Sequence, residues 1–267
     1  MVGQNSITKI AVVGNTKLTL KGLTALKKLS NVEIKIILGL DRQSVNKKVN
    51  SISFASFLSS YRYVDAPSII RSNEWDLFEN ACKEKKIDLI ILLGDSRIVP
   101  ESIINSFTVV GNHGAILPDV QGGASLVWGR MLNSGEWGVS IMEIDKKIDS
   151  GKILKVKKFK YDEDCSELEF TEKCDDLTVD ALVDVLNGNY VISDNSKWDL
   201  KIAKHTDSKH VINILKYCID NKLNVYLPPR TPEDGFIKSD WSDEFKKIFK
   251  IANNKPYPKW RDKVNNE

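Results

Sequence analysis

The chain is poor in the residues that would make several chemistries easy to recognise. Only four cysteines occur in 267 residues (Cys82, Cys165, Cys174 and Cys218), and only three histidines (His113, His205 and His210). No two cysteines form a C-x-x-C pair, so neither a disulfide framework nor a zinc finger is indicated, and the four read as reduced thiols. No metal is implied. The densest apolar run, Ile87 to Leu93, is interrupted by Asp88. It falls far short of the roughly 20 residues a helix needs to cross a bilayer. The opening MVGQNSITKIAVVG has no basic region ahead of a long apolar one, so it does not read as a secretory signal. Also missing are G-x-G-x-x-G after the first strand, G-x-x-x-x-G-K-[ST] and G-x-S-x-G. Nicotinamide, P-loop and serine-hydrolase readings thereby lose their main support. No repeat or low-complexity tract is found. The expectation is a cytoplasmic protein without a membrane partner.

What is present is ordinary globular composition: 42% apolar and 28% charged residues. Lys plus Arg is 39 and Asp plus Glu is 36, a formal charge of +3. That suits weak attraction of a small anion and lacks the concentrated basic face of a nucleic-acid binder, so no nucleic-acid partner is expected.

The first half alternates strand-like and helix-like segments. Lys9 to Val13 is a short β-branched run ending at Gly14. Leu20, Leu23, Leu26 and Leu29 then recur on one helical face. Ile34 to Leu38 is a second strand, and the polar segment 41–60 reads as a long loop. Trp75, Phe78 and Cys82 share a helix face ahead of the strand in Ile87 to Leu93. This grammar predicts an α/β fold, a Rossmann-like, mostly parallel sheet covered on both faces. Ligands bind such sheets beyond the carboxyl ends of the strands. The turns at Gly14-Asn15-Thr16, Gly94-Asp95-Ser96 and Gly111-Asn112-His113 should therefore gather at one edge.

The second half predicts strands at Val139 to Ile144 and Ile153 to Phe159, then a helix from Leu177 to Leu186 stopped by Gly188. The polar stretch 188–200 suggests a boundary, giving a catalytic domain over 1–190 and a small C-terminal α+β subdomain over 199–267. At about 70 residues the tail is too small to bury a core alone, so it should pack on the rest of the chain.

The block from Val109 to Leu154 carries the chemistry. A strand delivers Asn112 and His113 to the ligand edge, Pro118 and Gly122-Gly123 shape a loop before a helix with Trp128, and a later loop holds Asp145 and Asp149. Histidine, amide and carboxylate on converging loops suit acyl transfer: the imidazole moves a proton, the amide donates to an oxyanion, the carboxylate orients the imidazole. The same residues also suit plain turns, since His beside Asn and Asp before Ser-Gly are ordinary turn formers.

This block resembles the 10-formyltetrahydrofolate-dependent formyltransferases. Their pattern is Asn-x-His-Pro-Ser-Leu-Leu-Pro, a basic-Gly loop, a Trp-containing helix, Asn-Gly, Gly-Val-Thr and Asp-x-Gly. Here it reads His113-Gly114-Ala115-Ile116-Leu117-Pro118, Gly122, Trp128, Asn133, Gly138-Val139-Ser140 and Asp149-Ser150-Gly151. The tail segments Arg230-Thr231-Pro232-Glu233-Asp234-Gly235, Asp240-Trp241 and Pro256-Tyr257-Pro258 are similar to the C-terminal subdomain of members that formylate amino sugars. The resemblance implies formyl transfer from N10-formyltetrahydrofolate to the amine of a nucleotide-linked amino sugar for bacterial surface polysaccharide. His113 would move the proton, Asp149 would orient it, and Asn112 would serve the oxyanion. The folate would lie against Leu93, Gly94, Asp95, Ser96 and Ile98 on one loop and Ile144, Asp145 and Ile148 on another. A tRNA-formylating enzyme and a non-catalytic binding module are the alternatives. A symmetric dimer through the tail stays open.

The chain departs from the pattern at one key position. The family's Asn stands two residues before the His, where this chain has Gly111. Neighbouring residues of a strand point to opposite faces, so Asn112 on a regular strand would point away from the reacting atoms. Either Gly111 permits a bulge or positive φ that swings Asn112 back, or another donor or water replaces the amide, or activity is lost. The family's loop Arg is also replaced, by Gln121.

Overall fold

The computed structural model describes residues 7–40, 54–62, 64–72 and 74–262. A seven-stranded sheet is built from β1 (Thr8–Val13), β2 (Val32–Gly39), β3 (Ser68–Arg71), β4 (Leu89–Leu92), β5 (Thr108–His113), β7 (Glu136–Glu143) and β8 (Ile153–Lys160). Their spatial order is β3-β2-β1-β4-β5-β7-β8, and the pairs from β3 through β5 are all parallel. Strand order reverses between β1 and β4, the switch point where open α/β sheets take ligands. The fold class expected from the alternating pattern is the one found.

The described chain divides into two compact units that interleave along the sequence. The first unit comprises 1–112, 141–155 and 178–193; the second takes 113–140, 156–177 and the tail from 194. The physical reason lies in the tail's strands. β10 (Val225–Leu227) pairs in parallel with β6 (Val120–Gly122) on one side and β9 (Leu200–Lys201) on the other. The tail therefore completes a sheet and a core begun a hundred residues earlier, as its small size requires.

In the first unit, α1 (Lys17–Leu26) buries Leu23 and Leu26 of the expected row, with Leu20 and Leu29 partly buried and Leu18 buried beside them; α3 (Trp75–Glu84) buries Phe78 and Cys82, with Trp75 partly buried. The expected loop over 41–60 falls partly outside the described residues. Its described end instead holds a one-turn helix, α2 (Ala55–Leu58), with Phe54 and Phe57 buried. Apolar burial outweighs the polar character of the segment.

In the second unit, α5 (Ser125–Leu132), α7 (Ser208–Asp220) and α8 (Asp243–Ala252) surround the buried Trp128, Trp137, Phe170 and Phe249. The carboxylate of Asp207 caps α7 by accepting from the Lys209 and His210 amides. The long helix α6 (Glu167–Leu186) starts ten residues before the apolar periodicity that predicts it. Its acidic first turn is the reason it does not look amphipathic, although Glu167 and Glu169 there suit a helix N-terminus. All four cysteines are free thiols, and burial, reinforced by Glu79, pushes the Cys82 thiol up to about 12.

One buried acid of the second unit sets a pH dependence. Glu167 is almost fully buried; its Oε1 accepts the Thr171 hydroxyl at 3.2 Å, and burial pushes its pKa up to about 9 from an ordinary 4.5. Between those values the folded state keeps a proton that the unfolded chain releases. Stability conferred by the neutral acid is thus complete below about 4.5 and is lost as pH rises towards 9. E167Q removes the titration and keeps an acceptor for Thr171. Its unfolding temperature should match the parent's near pH 4 and exceed it by a margin that grows up to pH 9.

Candidate active site

The first unit collects three chain turns at the switch point. Gly14, after β1, approaches β4 so closely that a Cβ there would lie 2.1 Å from the Leu93 carbonyl oxygen. That carbonyl accepts the Thr19 hydroxyl at 2.7 Å, and the Leu93 amide donates to Val13. Gly94 adopts φ +65, and a Cβ on it would meet Thr16 Oγ1 at 2.1 Å. Only glycine combines that backbone with that clearance. The third turn enters through Asn112, whose Oδ1 accepts the Gly94 amide at 3.1 Å. The structure thus brings Gly94 and Asn112 together as the pattern of strand ends anticipates.

Gly111 and its neighbours form regular strand. Residues 108–111 pair in parallel with 89–92 without a register shift, so there is no bulge, and Gly111 does not take a positive φ. Asn112 remains on the opposite face from Gly111. The place that a side chain at 111 would occupy is filled by Ile144, whose Cδ1 would lie 2.7 Å from a Cβ there. Ile144 is itself held by its amide, which donates to the Val109 carbonyl at 2.8 Å. The glycine at 111 and the bulky residue at 144 are therefore one packing arrangement. Because Asn112 must accept at Oδ1, its amide NH2 is the end turned away from Gly94.

The loop after β4 is not a plain exposed turn. Asp95 Oδ1 accepts the Arg97 amide at 2.8 Å and Nε at 3.0 Å, and Oδ2 takes an Arg97 NH2 at 2.8 Å. Arg97 also donates to Ser72 and stacks 5.2 Å from the Trp75 ring. The carboxylate side chain is 2% exposed and the guanidinium side chain 13%. Asp95 is thereby spent on holding its own loop. Ser96 is exposed, and Ile98 stands 75% exposed. On the other loop Ile148 is 59% exposed, Asp145 caps the Lys146 amide, and Asp149 adopts φ +50 ahead of Gly151. At Gly151 a Cβ would lie 1.9 Å from the Glu143 carbonyl oxygen, so that turn also requires glycine.

His113 belongs to the second unit and is buried. Its Nε2 lies 2.9 Å from the Val120 carbonyl, so Nε2 carries the hydrogen. β6 offers alternate carbonyls to its two sides: Asp119 serves the Val225 amide of β10, which turns Val120 towards the outer edge where the imidazole takes it. Gln121 is buried and donates from Nε2 to Asn195 Oδ1 and the Ser196 carbonyl, both at 2.9 Å.

The sequence profile of the formyl transferase family matches residues 9–186. The chain belongs to the formyl transferase family. A methionyl-tRNA formyltransferase of Prochlorococcus marinus (strain MIT 9515) is 24% identical over 82% of this chain and 70% of its own length. Methionyl-tRNA formyltransferases of Dictyoglomus thermophilum and of a Wolbachia strain match over only 36% and 35% of their length. The structure of a 4-N formyltransferase from Francisella tularensis superposes with TM-score 0.66 at 15% identity, covering 98% of this chain and 94% of that one. HypX from Aquifex aeolicus, in a complex with tetrahydrofolic acid, gives TM-score 0.59 at 14% identity over 94% of this chain and 35% of its own. The formyltransferase keeps the α/β fold of its relatives. Among the described residues no helix is long and apolar enough to cross a membrane.

The Asp95–Arg97 pair gives a direct test of loop construction. Asp95→Ala strands a largely buried guanidinium, a change that typically costs about 3–5 kcal/mol. Urea unfolding at neutral pH should register a loss in that range, whereas an exposed turn would lose almost nothing.

Proposed function

We propose that this formyltransferase moves the formyl group of N10-formyltetrahydrofolate to the primary amine of a nucleotide-linked amino sugar used in bacterial surface polysaccharide. In the reaction the amine nitrogen attacks the formyl carbon, the bond from that carbon to N10 breaks, and the amine's proton passes to the leaving N10. His113 carries that proton. With Nε2–H committed to Val120, Nδ1 is the nitrogen that accepts and returns it. Asp149 stabilises the imidazolium as it forms. Without the bulge that would swing it back, Asn112 spends its Oδ1 on the Gly94 amide, and the oxyanion takes its donor from another group or a water.

The residues present fit a folate. Two exposed isoleucines, Ile98 and Ile148, offer apolar surface to a pterin. The Leu93, Gly94 and Arg97 amides are already engaged within the protein. Recognition of the pterin edge therefore rests on carbonyls and on the remaining amides of 95–98 and 144–149. The folate supplies the formyl carbon, and every other step belongs to the chain's own groups.

The observation that carries the choice of acceptor is the construction of the Arg230–Gly235 element. Arg230 donates to the Asp234 carbonyl and to Asn253 Oδ1, each at 2.6 Å, and lies 5.3 Å over the Trp128 ring. Asp234 Oδ2 in turn takes the Thr231 amide at 2.6 Å. The segment that resembles the sugar-formylating members is thus an integral corner of the second unit, and that resemblance supports the sugar acceptor. Curated relatives that are methionyl-tRNA formyltransferases favour a second reading, a methionyl-tRNA acceptor. Tight tRNA binding that weakens steeply with salt would support that reading, because phosphate contacts release counterions.

His113→Asn should lower formyl transfer by about 10³-fold, within the range of a lost general acid–base group, while folate still binds by calorimetry. Asp149→Asn should fall in the same direction. Unchanged turnover in both variants would overturn the assignment of these roles.

A further inference from the structure

The three-stranded sheet of the second unit carries a cross-strand row that the formyl-transfer roles do not use. Gln121 on β6 pairs with Tyr226 on β10, and Tyr226 pairs with Lys201 on β9. These three share a face opposite Val120, Val225 and Leu200, which pack into or against the core. Trp198 joins the row, edge to face with Tyr226 at 6.0 Å between centroids. The Lys201 ammonium sits over both rings, 5.9 Å from Trp198 and 5.3 Å from Tyr226.

Trp198 is a large aromatic left 42% exposed, yet its backbone is pinned on both sides. The Lys197 carbonyl before it accepts Asn224 Nδ2, and the Asp199 amide after it donates to the Asn224 carbonyl at 2.8 Å. Asp199 Oδ2 also accepts the Asn224 amide at 2.7 Å. Upstream, the Gln121 amide fastens Asn195 and Ser196. An exposed indole held this firmly is preorganised for stacking, because little ordering entropy remains to be lost on contact.

Position adds a second argument. His113 holds the outer edge of β6 at Val120, next to Gln121. Strands lie about 4.8 Å apart, so Lys201, two strands across, is roughly 10 Å from that row's start. A diphosphate bridge between a sugar and a nucleoside suits such a separation.

We propose that Trp198, Tyr226 and Lys201 form the subsite for the nucleotide part of the acceptor. The base stacks on the Trp198 indole, and the Lys201 ammonium pairs with the attached diphosphate. This rests on the nucleotide-linked reading of the acceptor and names where that nucleotide is held. The shared chemistry, a π-face with a phosphate, is also that of an RNA end, and the test separates the two sources.

The test measures nucleotide binding without folate. The full chain is titrated by calorimetry with UDP, dTDP and GDP, and separately with a short single-stranded RNA. Formyl transfer is measured with the corresponding 4-amino-sugar nucleotides. One nucleoside diphosphate should bind to the parent, and W198A should raise its Kd and the acceptor KM at least tenfold, leaving kcat within about twofold. W198F should restore most of the affinity, and K201A should weaken the diphosphate more than the free nucleoside. Unchanged Kd and KM in W198A and K201A, with formyl transfer intact, would overturn the subsite while the formyl-transfer reading stands. Tighter, Trp198-dependent binding of the RNA than of every nucleoside diphosphate would overturn the sugar-nucleotide source.

Discussion

The Thr19 hydroxyl on the Leu93 carbonyl is the contact on which the candidate site depends. It ties the first helix to the end of β4 at the place where strand order reverses. At Gly14 and Gly94 a side chain would collide with this junction. Once β1 and β4 are locked there, the Gly94 amide has a fixed direction, and Asn112 is the acceptor it finds. The orientation of the Asn112 side chain thus follows from a backbone constraint two strands away. A hydrogen bond of this kind contributes only about 1 kcal/mol, but leaving its buried partner unmet costs more.

Much of this architecture can be read from the residues alone. Period-two and apolar runs locate the strands β1, β2, β4, β7 and β8, and leucine spacing locates α1. The pieces that escape such reading are those whose stability comes from elsewhere in the chain. β6, β9 and β10 have two or three residues each and gain their partners only through pairing across the sequence. The start of α6 is hidden by acidic residues that suit a helix N-terminus rather than a core face. Phe54 and Phe57 sit in a polar context, and only the fold shows that they are buried.

The candidate site divides in the same way. Asn112 and the turn at Gly94 are anticipated by the general rule for strand ends. Asp95 is not, because its partner Arg97 and the supports from Ser72 and Trp75 belong to the loop's own folding. Trp128, Trp137 and Trp241 attract attention as aromatic residues near the motifs, and all three are buried. Trp198 lies in a stretch that reads as a linker, and its register with Tyr226 and Lys201 becomes visible only once β9 and β10 pair. Sequence spacing has no access to neighbours brought together by parallel strands.

The interlock between Gly111 and Ile144 has a consequence for substitution. A Cβ at 111 and the present rotamer of Ile144 claim the same volume. A side chain at 111 is therefore admitted only when the isoleucine methyl swings aside. The two positions form a steric relay across the strand end, in which a change at one is read out as a rotamer at the other.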